Sequence, residues 1–447
     1  MSFAIYLVKK LIPHPIFIRL QPPYHFILAF LAALWFRFPS RDFIVIGVTG
    51  TKGKTTVVEL IHEILQSGGG KTASISSLRF KTGDVVMPND KKMTMPGRFF
   101  VQKFLRQAVK SGCRYAVLEV TSEGIKQFRH RFINFSAAVM TNIEREHIES
   151  HGSFERYLRA KLDLFWRLPK DAAAIINRGD PFAGRFSAST GAKKIFYGRN
   201  EIKFSDKIYA IRDVKTGKGG VFMEINGQDF AVKLPGEFNL YNILVAVTVG
   251  ILEHISLEKI SVALENFSGV PGRMEFVQKE PFAVVVDYAH TPQSLRNVYT
   301  FLKDCGTSNQ LSVTKLICVL GAAGGGRDKW KRPEFGRIAA EFCDCIILTN
   351  EDPYDENPEA ILDEIASGFP QIQNSKSEIP NRPQTANNKK ILDRREAIRE
   401  ALKLAKSGDT VVITGKGAEP WIMGPNGTKT AWDDREVVRE ELKNSIG

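Results

Sequence analysis

Residues 47–56 read Gly-Val-Thr-Gly-Thr-Lys-Gly-Lys-Thr-Thr and follow the apolar run Phe43-Ile44-Val45-Ile46 without a break. A β run that enters a glycine-rich turn ending in Gly-Lys-Thr, with a helical pattern next, is built to cradle phosphate. The glycines let backbone N–H groups approach an anion, Lys54 adds a point charge, and the Thr55 hydroxyl can serve Mg²⁺. A helix over 55–66 would direct its positive N-terminal end at the same anion. Gly50, Thr51, Lys52, Gly53, Lys54, Thr55 and Thr56 are therefore the candidate nucleotide-binding residues. The spacing is irregular. Five positions before Gly53 stands Val48, and the nearest upstream glycines are Gly47 and Gly50.

Around this loop, strand-like and helix-like runs alternate. Strands are expected at 43–48, 115–121, 136–142, 172–177, 282–288, 315–321, 344–349 and 409–414. Helices are expected at 55–66, 98–111, 154–167, 239–253, 292–304, 333–342, 358–367 and 394–406. Such alternation predicts an α/β fold with parallel sheets and helices on both faces. Residues 195–235 differ, with short alternating segments and several glycines that suggest a small antiparallel patch. Residues 266–273 read as a linker between two β/α series. The polar stretch 371–390 reads as a surface loop.

The net charge is +13. That suits an anionic ligand or surface, but the basic residues are spread along the chain and no block resembles a nucleic-acid arm. Five cysteines at irregular spacing argue for a reducing compartment without structural disulfides. Cys343 and Cys345 fall in an expected strand and read as core thiols. Tyr24–Phe36 is apolar but too short to cross a bilayer comfortably. Basic residues flank it (Lys9, Lys10 and Arg19 before, Arg37 and Arg41 after). A helix packed on the protein body and a helix lying at a membrane surface both fit. A signal peptide fits less well, because no small-residue cleavage site follows.

Two residues are chemically out of place. Glu119 sits near the carboxyl end of a strand, after Tyr115-Ala-Val-Leu, where ligands of α/β sheets bind. A buried carboxylate needs a partner or a metal, and Thr55 with Glu119 offers hard oxygens for one Mg²⁺. Lys161 shares a helical face with Tyr157, Leu158, Leu162 and Phe165. Its charge could snorkel to solvent. Alternatively, a desolvated amine loses its proton and becomes able to take up CO₂ as a carbamate.

Taken in order, the motifs resemble those of the Mur ligases, ATP-dependent amide-forming enzymes of cell-wall precursor synthesis. The resemblance is greatest to the branch that forms the tripeptide. It rests on Thr49–Thr56, Thr94-Met-Pro-Gly97, Glu119-Val-Thr-Ser122, Arg129, Thr141-Asn142 with His147, His151-Gly152 and Ala160-Lys161. Further along it rests on Gly236-Glu-Phe-Asn239 with Asn242, Val270–Glu275, Val286–Pro292, Gly326-Arg-Asp328, Asp393–Ile398, Gly415-Lys-Gly417 with Glu419, and Asp433–Glu436. The resemblance implies a short apolar helical N-terminal segment (1–42), a central P-loop ATPase domain with a mostly parallel sheet (43–267) and a C-terminal Rossmann-like ligase domain (268–447). It implies ATP and two Mg²⁺ ions, with Lys54, Glu119, His147 and a carbamylated Lys161 as the catalytic set. Thr55, Glu119, His147 and Lys161 would be the metal ligands. Asn142, Asn239, Arg273, Asp287, Tyr288 and His290 would complete the nucleotide site. Thr94, Ser122 and Arg129 would face a UDP-MurNAc-peptide, and Arg327, Glu351, Asp352, Tyr354, Gly415 and Glu419 the acceptor amino acid. The implied protein is a cytoplasmic monomer, in contact with the inner membrane face if residues 24–36 touch lipid.

The pattern also departs from the family. Members usually begin with a separate domain that binds the uridine diphosphate, and here residues 1–42 precede the loop region. Where diaminopimelate-adding members have Asp-Asn-Pro-Arg, this chain has Glu351-Asp-Pro-Tyr354. Loss of a bidentate guanidinium clamp disfavours diaminopimelate as acceptor and leaves lysine or another amine open, with Asp352 or Asp355 for its ammonium. The family's histidines at two further positions are Glu123 and Ala418 here. Related ligases acting on poly-γ-glutamate or folylpolyglutamate-type carboxylates, and a non-catalytic nucleotide-binding scaffold, are the competing readings.

Overall fold

A computed structural model describes residues 14–91, 93–146, 148–217, 219–304, 314–370 and 388–446. The chain divides into two units, Met1–Ser268 and Gly269–Gly447.

The first unit opens with helix α1 (His14–Trp35), which begins before the expected apolar run and carries Pro22 and Pro23 inside it. Its buried face is small, formed by Ala29, Ala32 and Ala33. Carbonyls after its last turn are capped by a distant residue. Arg106 donates to Phe36 O (2.9 Å) and Arg37 O (2.9 Å) and also binds Asp42 (2.8 Å). This satisfies backbone acceptors that a helix end leaves open. Among the described residues, no helix is long and apolar enough to cross a membrane.

The chain then runs β1 (Ile44–Thr49), α2 (Lys54–Ser67), β2 (Thr72–Ile75), β3 (Arg79–Thr82), β4 (Val85–Pro88), α3 (Arg98–Lys110) and β5 (Tyr115–Glu119). After these come α4 (Ser122–Lys126), β6 (Ala137–Met140), α5 (Ile148–His151), α6 (Phe154–Trp166), β7 (Ala173–Asn177), α7 (Ala183–Ala188) and β8 (Lys193–Tyr197). An antiparallel ribbon of β9 (Glu201–Lys203), β10 (Ile208–Gly217), β11 (Gly220–Ile225) and β12 (Gln228–Val232) leads to α8 (Glu237–Leu252) and α9 (Leu257–Glu265). The sheet order is β12-β11-β10-β9-β8-β7-β6-β1-β5-β2-β3-β4. The antiparallel patch expected at 195–235 extends the main sheet at one end.

β1 lies between β5 and β6, parallel to both, with Val48 opposite Glu119 and Thr49 opposite Met140. Its apolar run is buried on both faces, as a central parallel strand requires. The shared direction brings the phosphate loop, Glu119 and Thr141-Asn142 to one edge of the sheet.

The second unit has β13 (Glu275–Gln278), β14 (Ala283–Asp287), α10 (Pro292–Asp304), β15 (Leu316–Leu320), α11 (Lys331–Phe342), β16 (Cys345–Leu348), α12 (Pro358–Ala366) and β17 (Asn388–Lys390). It ends with α13 (Arg394–Leu404), β18 (Thr410–Thr414), the hairpin β19 (Trp421–Met423) and β20 (Lys429–Ala431), and α14 (Asp434–Ile446). The sheet order is β13-β14-β18-β15-β16-β17, and only β13 is antiparallel to its neighbour. Residues 388–390, expected in a surface loop, form the edge strand beside β16, while 371–387 lie outside the described residues.

One expectation about the cysteines fails. Cys318 of β15 and Cys343, at the C-terminal end of α11, form a disulfide across Cα atoms 6.1 Å apart. The helix end returns to the sheet just before β16, beside β15, a closeness that a sequence separation of 25 conceals. Cys113 and Cys345 are buried, Cys345 in the strand where a core position was expected.

Candidate functional site

Gly50 adopts φ +147°, and a Cβ there would stand 1.9 Å from Thr141 Oγ1, so the loop closes only with glycine. The end of β6 staples the loop from the other side. Thr141 Oγ1 donates to Lys52 O (2.7 Å), and Asn142 accepts from Lys52 N through Oδ1 (2.8 Å) and from Thr51 N through its backbone carbonyl (2.8 Å). Gly53, at φ +78°, caps α2 and places Lys54, Thr55 and Thr56 in its first turn. Asn239, in the first turn of α8, donates to Pro235 O (2.8 Å) and accepts from Asn242 (3.0 Å), whose Oδ1 lies against Gly53.

Two amines converge on the loop's carbonyls. Lys54 Nζ donates to Gly50 O (3.1 Å) and Thr51 O (2.7 Å), and Lys161 Nζ donates to Gly50 O (2.6 Å). Lys161 is 2% exposed and lies over the Tyr157 ring, 4.7 Å from its centroid. Burial first, and then the Lys54 charge, push its pKa well below the ordinary lysine value, against the pull of Glu146 and Glu119. Of the two sequence-level readings, the desolvated amine is the one observed; α6 does not let this side chain reach solvent. Tyr157 OH lies 2.8 Å from Thr51 Oγ1, and Lys52 pairs with Glu146 (3.2 Å).

Beside the amines is a cluster of oxygens. Thr55 Oγ1 donates to Glu119 Oε2 (3.0 Å), and Ser77 holds the same oxygen through its backbone N (2.9 Å) and Oγ (3.2 Å). Ser77 Oγ also lies 2.7 Å from Thr55 Oγ1. A carboxylate and two hydroxyls are the donor set that Mg²⁺ takes. His147 lies outside the described residues.

The expected substrate-facing residues also come together. Arg129 donates to the Met95 carbonyl, next to half-buried Thr94, and to Gln127 Oε1 (2.7 Å). Ser122 is buried at the start of α4, in the same segment.

In the second unit, Asp287 ends β14 and accepts from Met274 N and Ala289 N, both at 2.7 Å. The Arg273 guanidinium stacks over the Tyr288 ring (4.1 Å), Tyr288 OH donates to Glu419 (2.6 Å), and His290 Nδ1 meets Tyr288 O (2.9 Å). Lys416 is fully buried between Asp352 (3.0 Å to each oxygen) and Glu419 (2.6 Å). Burial would lower its pKa, but Glu419 and Asp352 hold it above the ordinary value. Asp352 also accepts from Met423 N (2.7 Å), so its carboxylate is tied into the unit's own framework. Glu351 is buried against Gly415, which has φ +109°. Burial and then Asp352 lift the Glu351 pKa to about 7. Tyr354 holds φ +51°; burial would lower the Arg327 pKa, but Tyr288 and then Tyr354 raise it above the ordinary value.

Ser77, Tyr157, Glu146 and Lys416 were not singled out as site residues from the sequence. Lys416 lay inside a recognised motif. Ser77 follows a strand of only four residues, Thr72–Ile75, too short to mark itself, so its place at a sheet edge was hidden.

Residues 48–250 match the Mur ligase middle domain and residues 272–417 the Mur ligase glutamate ligase domain. A protein of Gloeobacter violaceus named UDP-N-acetylmuramoyl-L-alanyl-D-glutamate--2,6-diaminopimelate ligase is 38% identical over 417 residues, which is 92% of this chain and 80% of that protein. The chain belongs to the Mur ligase family. A UDP-N-acetylmuramyl-tripeptide synthetase of Roseiflexus sp. is 35% identical over 438 residues, covering 93% of this chain and 81% of its own length. A solved UDP-N-acetylmuramoyl-L-alanyl-D-glutamate--2,6-diaminopimelate ligase superposes with a TM-score of 0.59 at 30% identity, covering 91% of this chain and 79% of that one. As a Mur ligase the chain is an ATP-dependent enzyme that joins an acid to an amine.

Proposed function

We propose that this Mur ligase adds an amino acid to a UDP-N-acetylmuramoyl-dipeptide through an acyl phosphate. The observation that carries the reading is the buried Lys161 amine on the Gly50 carbonyl, beside the Thr55–Ser77–Glu119 oxygens. A carboxylate is a poor electrophile. Transfer of the γ-phosphoryl group of ATP to it yields ADP and an acyl phosphate. The acceptor amine then attacks the acyl carbon, loses a proton, and the tetrahedral intermediate expels phosphate. Backbone N–H groups of 50–56 and the start of α2 orient the phosphates, and Lys54 leaves its loop carbonyls to balance their charge. Lys161, whose pKa burial lowers, would lose its proton to give the amine, take up CO₂ with loss of a second proton and become an anionic carbamate. Thr55, Glu119, His147 and that carbamate would hold two Mg²⁺ ions, which neutralise charge on the transferring group. Asn142, Asn239, Arg273, Asp287, Tyr288 and His290 are the proposed nucleotide contacts. Thr94, Ser122 and Arg129 are assigned to the dipeptide substrate. Arg327 and Glu419 are assigned to the acceptor's α-carboxylate and ammonium. Tyr354, standing where diaminopimelate-adding members have arginine, favours an acceptor without a second carboxylate.

The test is phosphate release from ATP with UDP-MurNAc-dipeptide and a panel of amino acids. Release is expected with lysine or another single-carboxylate amine above diaminopimelate. Diaminopimelate as the best acceptor overturns the acceptor assignment, and no release with any amino acid overturns the ligase reading.

The enzyme is proposed to act as a monomer in the cytoplasm, against an anionic bilayer. Ile27, Leu31, Leu34 and Trp35 of α1 are 44–78% exposed on one helical face, and the basic residues Arg37 and Arg41 follow. Co-sedimentation with anionic vesicles is expected, and its loss in a Leu34→Glu/Trp35→Glu variant. Failure of the unaltered protein to sediment with anionic vesicles overturns it.

A further inference from the structure

The segment that carries Arg129 also gathers a second guanidinium. Arg98, at the start of α3, donates through Nη2 to Gln127 O (2.6 Å), and Arg129 donates through Nη2 to the side chain of the same residue (2.7 Å). The guanidiniums are thus held together on one glutamine, where two like charges would otherwise separate. α1 closes over the pair. Phe26 packs on Phe128 (6.4 Å) and Phe132 (5.1 Å), and the Arg131 guanidinium lies 5.4 Å from the Phe26 ring. This seats the neighbouring His25 where it feels the charges of both Arg98 and Arg129. Each of the three side chains keeps a buried nitrogen without a hydrogen-bond partner: His25 Nδ1, Arg98 Nε and Arg129 Nε. Buried donors are almost always satisfied, so three together indicate a missing acceptor. The nearby carboxylate, Glu123, is engaged by Ser150 and by His151 (3.2 Å). Phe128 and Phe132, on either side of Arg129, both hold left-handed backbones (φ +55° and +61°), a strained turn that the packing on α1 sustains.

We infer that His25, Arg98 and Arg129 form an anion pocket that takes the diphosphate of the nucleotide-sugar substrate, with α1 as one wall. The inference rests on the ligase reading for the identity of that substrate. Two guanidiniums with an imidazole match a group that carries several oxygens and more than one negative charge. A lone carboxylate would leave part of the donor set unmatched. In the empty protein the His25 pKa is lowered to about 4 by burial, then by Arg98 and Arg129. A bound dianion reverses the last two influences, so His25 becomes a local reporter of occupancy.

The experiment follows the His25 ring by NMR in the full chain, with the phosphate loop saturated by a non-hydrolysable ATP analogue. Inorganic pyrophosphate is the probe and glutamate the control. Pyrophosphate is expected to raise the His25 pKa, Arg98→Gln to weaken its binding at least tenfold, and Arg98→Lys to recover part of the loss. In turnover, Arg98→Gln and His25→Ala are expected to raise KM for the dipeptide nucleotide at least tenfold without changing KM for ATP. A His25 ring that responds to glutamate and not to pyrophosphate overturns the inference. So does an Arg98→Gln protein that binds pyrophosphate like the parent. Pyrophosphate binding at His25 in a protein that releases no phosphate with any acceptor upholds the pocket and removes the ligase reading, so the two fail separately.

Discussion

The phosphate loop and the second unit handle charge in different ways. At the loop, Lys54 and Lys161 donate to backbone carbonyls, neutral acceptors that a phosphate can replace, although elsewhere in the first unit carboxylates pair with cations, as buried Glu59 does with Arg79 and Lys81. In the second, Lys416 lies between Asp352 and Glu419, and Arg394 is locked to Asp434 by two bonds of 2.8 and 2.7 Å. A cation on a carbonyl gains when an anion arrives. A cation on a carboxylate has little to gain, because its partner would be left buried and unpaired. The loop is thus poised for ligand exchange. In the second unit, internal ion pairs fix the backbone that presents Arg327 and Tyr354.

The sharpest way to break this contrast is to open the Arg394–Asp434 pair. Arg394 is 2% exposed and also donates to Thr414 O (2.8 Å). Arg394→Met leaves a buried carboxylate without its partner, at a cost of about 3–5 kcal/mol. Denaturant titration is expected to show the second unit unfolding earlier while the first keeps its midpoint. Equal shifts in both would mean that the pair is no local framework.

Glu351 probes the same framework through pH. Its folded pKa, about 7, is raised above the ordinary glutamate value of 4.5. Below pH 4.5 it is protonated in both folded and unfolded chains. Between 4.5 and 7 the unfolded chain releases the proton and the folded chain keeps it, so stability falls as pH rises. Above 7 the penalty is constant, on the order of 3 kcal/mol. Glu351→Gln should flatten that slope and stabilise the second unit at pH 8. An unchanged pH profile of its melting would remove Glu351 from the account.

How far the sequence revealed all this follows the same division. The central strands were legible because β1, β5 and β14 are unbroken apolar runs bounded by turn residues, and the loop because its glycines stand between strand and helix. Lys161 was legible as an anomaly, since a lysine on an apolar helical face contradicts its surroundings. What stayed hidden depends on tertiary closeness. Ser77 reaches Glu119 across 42 positions, and the Cys318–Cys343 bridge joins a strand to the end of a helix. Asp352 read as a candidate for the acceptor's ammonium because nothing local announces Lys416 beside it. His25 and Arg98 carried no signal, because a cluster assembled from α1, α3 and a loop has no spacing to read.

Lys161→Ala tests the first unit directly. If the amine acts as a carbamate near the transferring phosphoryl group, kcat is expected to fall by roughly a hundredfold or more. Added formate or acetate, which restores an anionic oxygen, is expected to recover part of it. An alanine variant with full activity, or one that no carboxylate rescues although it still binds ATP, would place Lys161 among residues that only shape the loop.

Ser77→Ala is the mildest change and divides the oxygen cluster most finely. Ser77 contributes two of the three bonds to Glu119 Oε2, one from its backbone and one from its hydroxyl. Alanine keeps the backbone bond and the Thr55 bond, so Glu119 stays in place but loses one restraint and the site loses one hydroxyl. Groups that orient a metal ligand are typically worth ten- to a hundredfold in metal affinity. With one restraint of three removed, the low end applies. The Mg²⁺ concentration for half-maximal activity is expected to rise about tenfold, with KM for ATP unchanged once Mg²⁺ is saturating. If Ser77→Ala instead lowers thermal stability and leaves the Mg²⁺ dependence untouched, then Thr55, Ser77 and Glu119 are tied together for structure alone. The first unit would then resemble the second, with its charge satisfied from within.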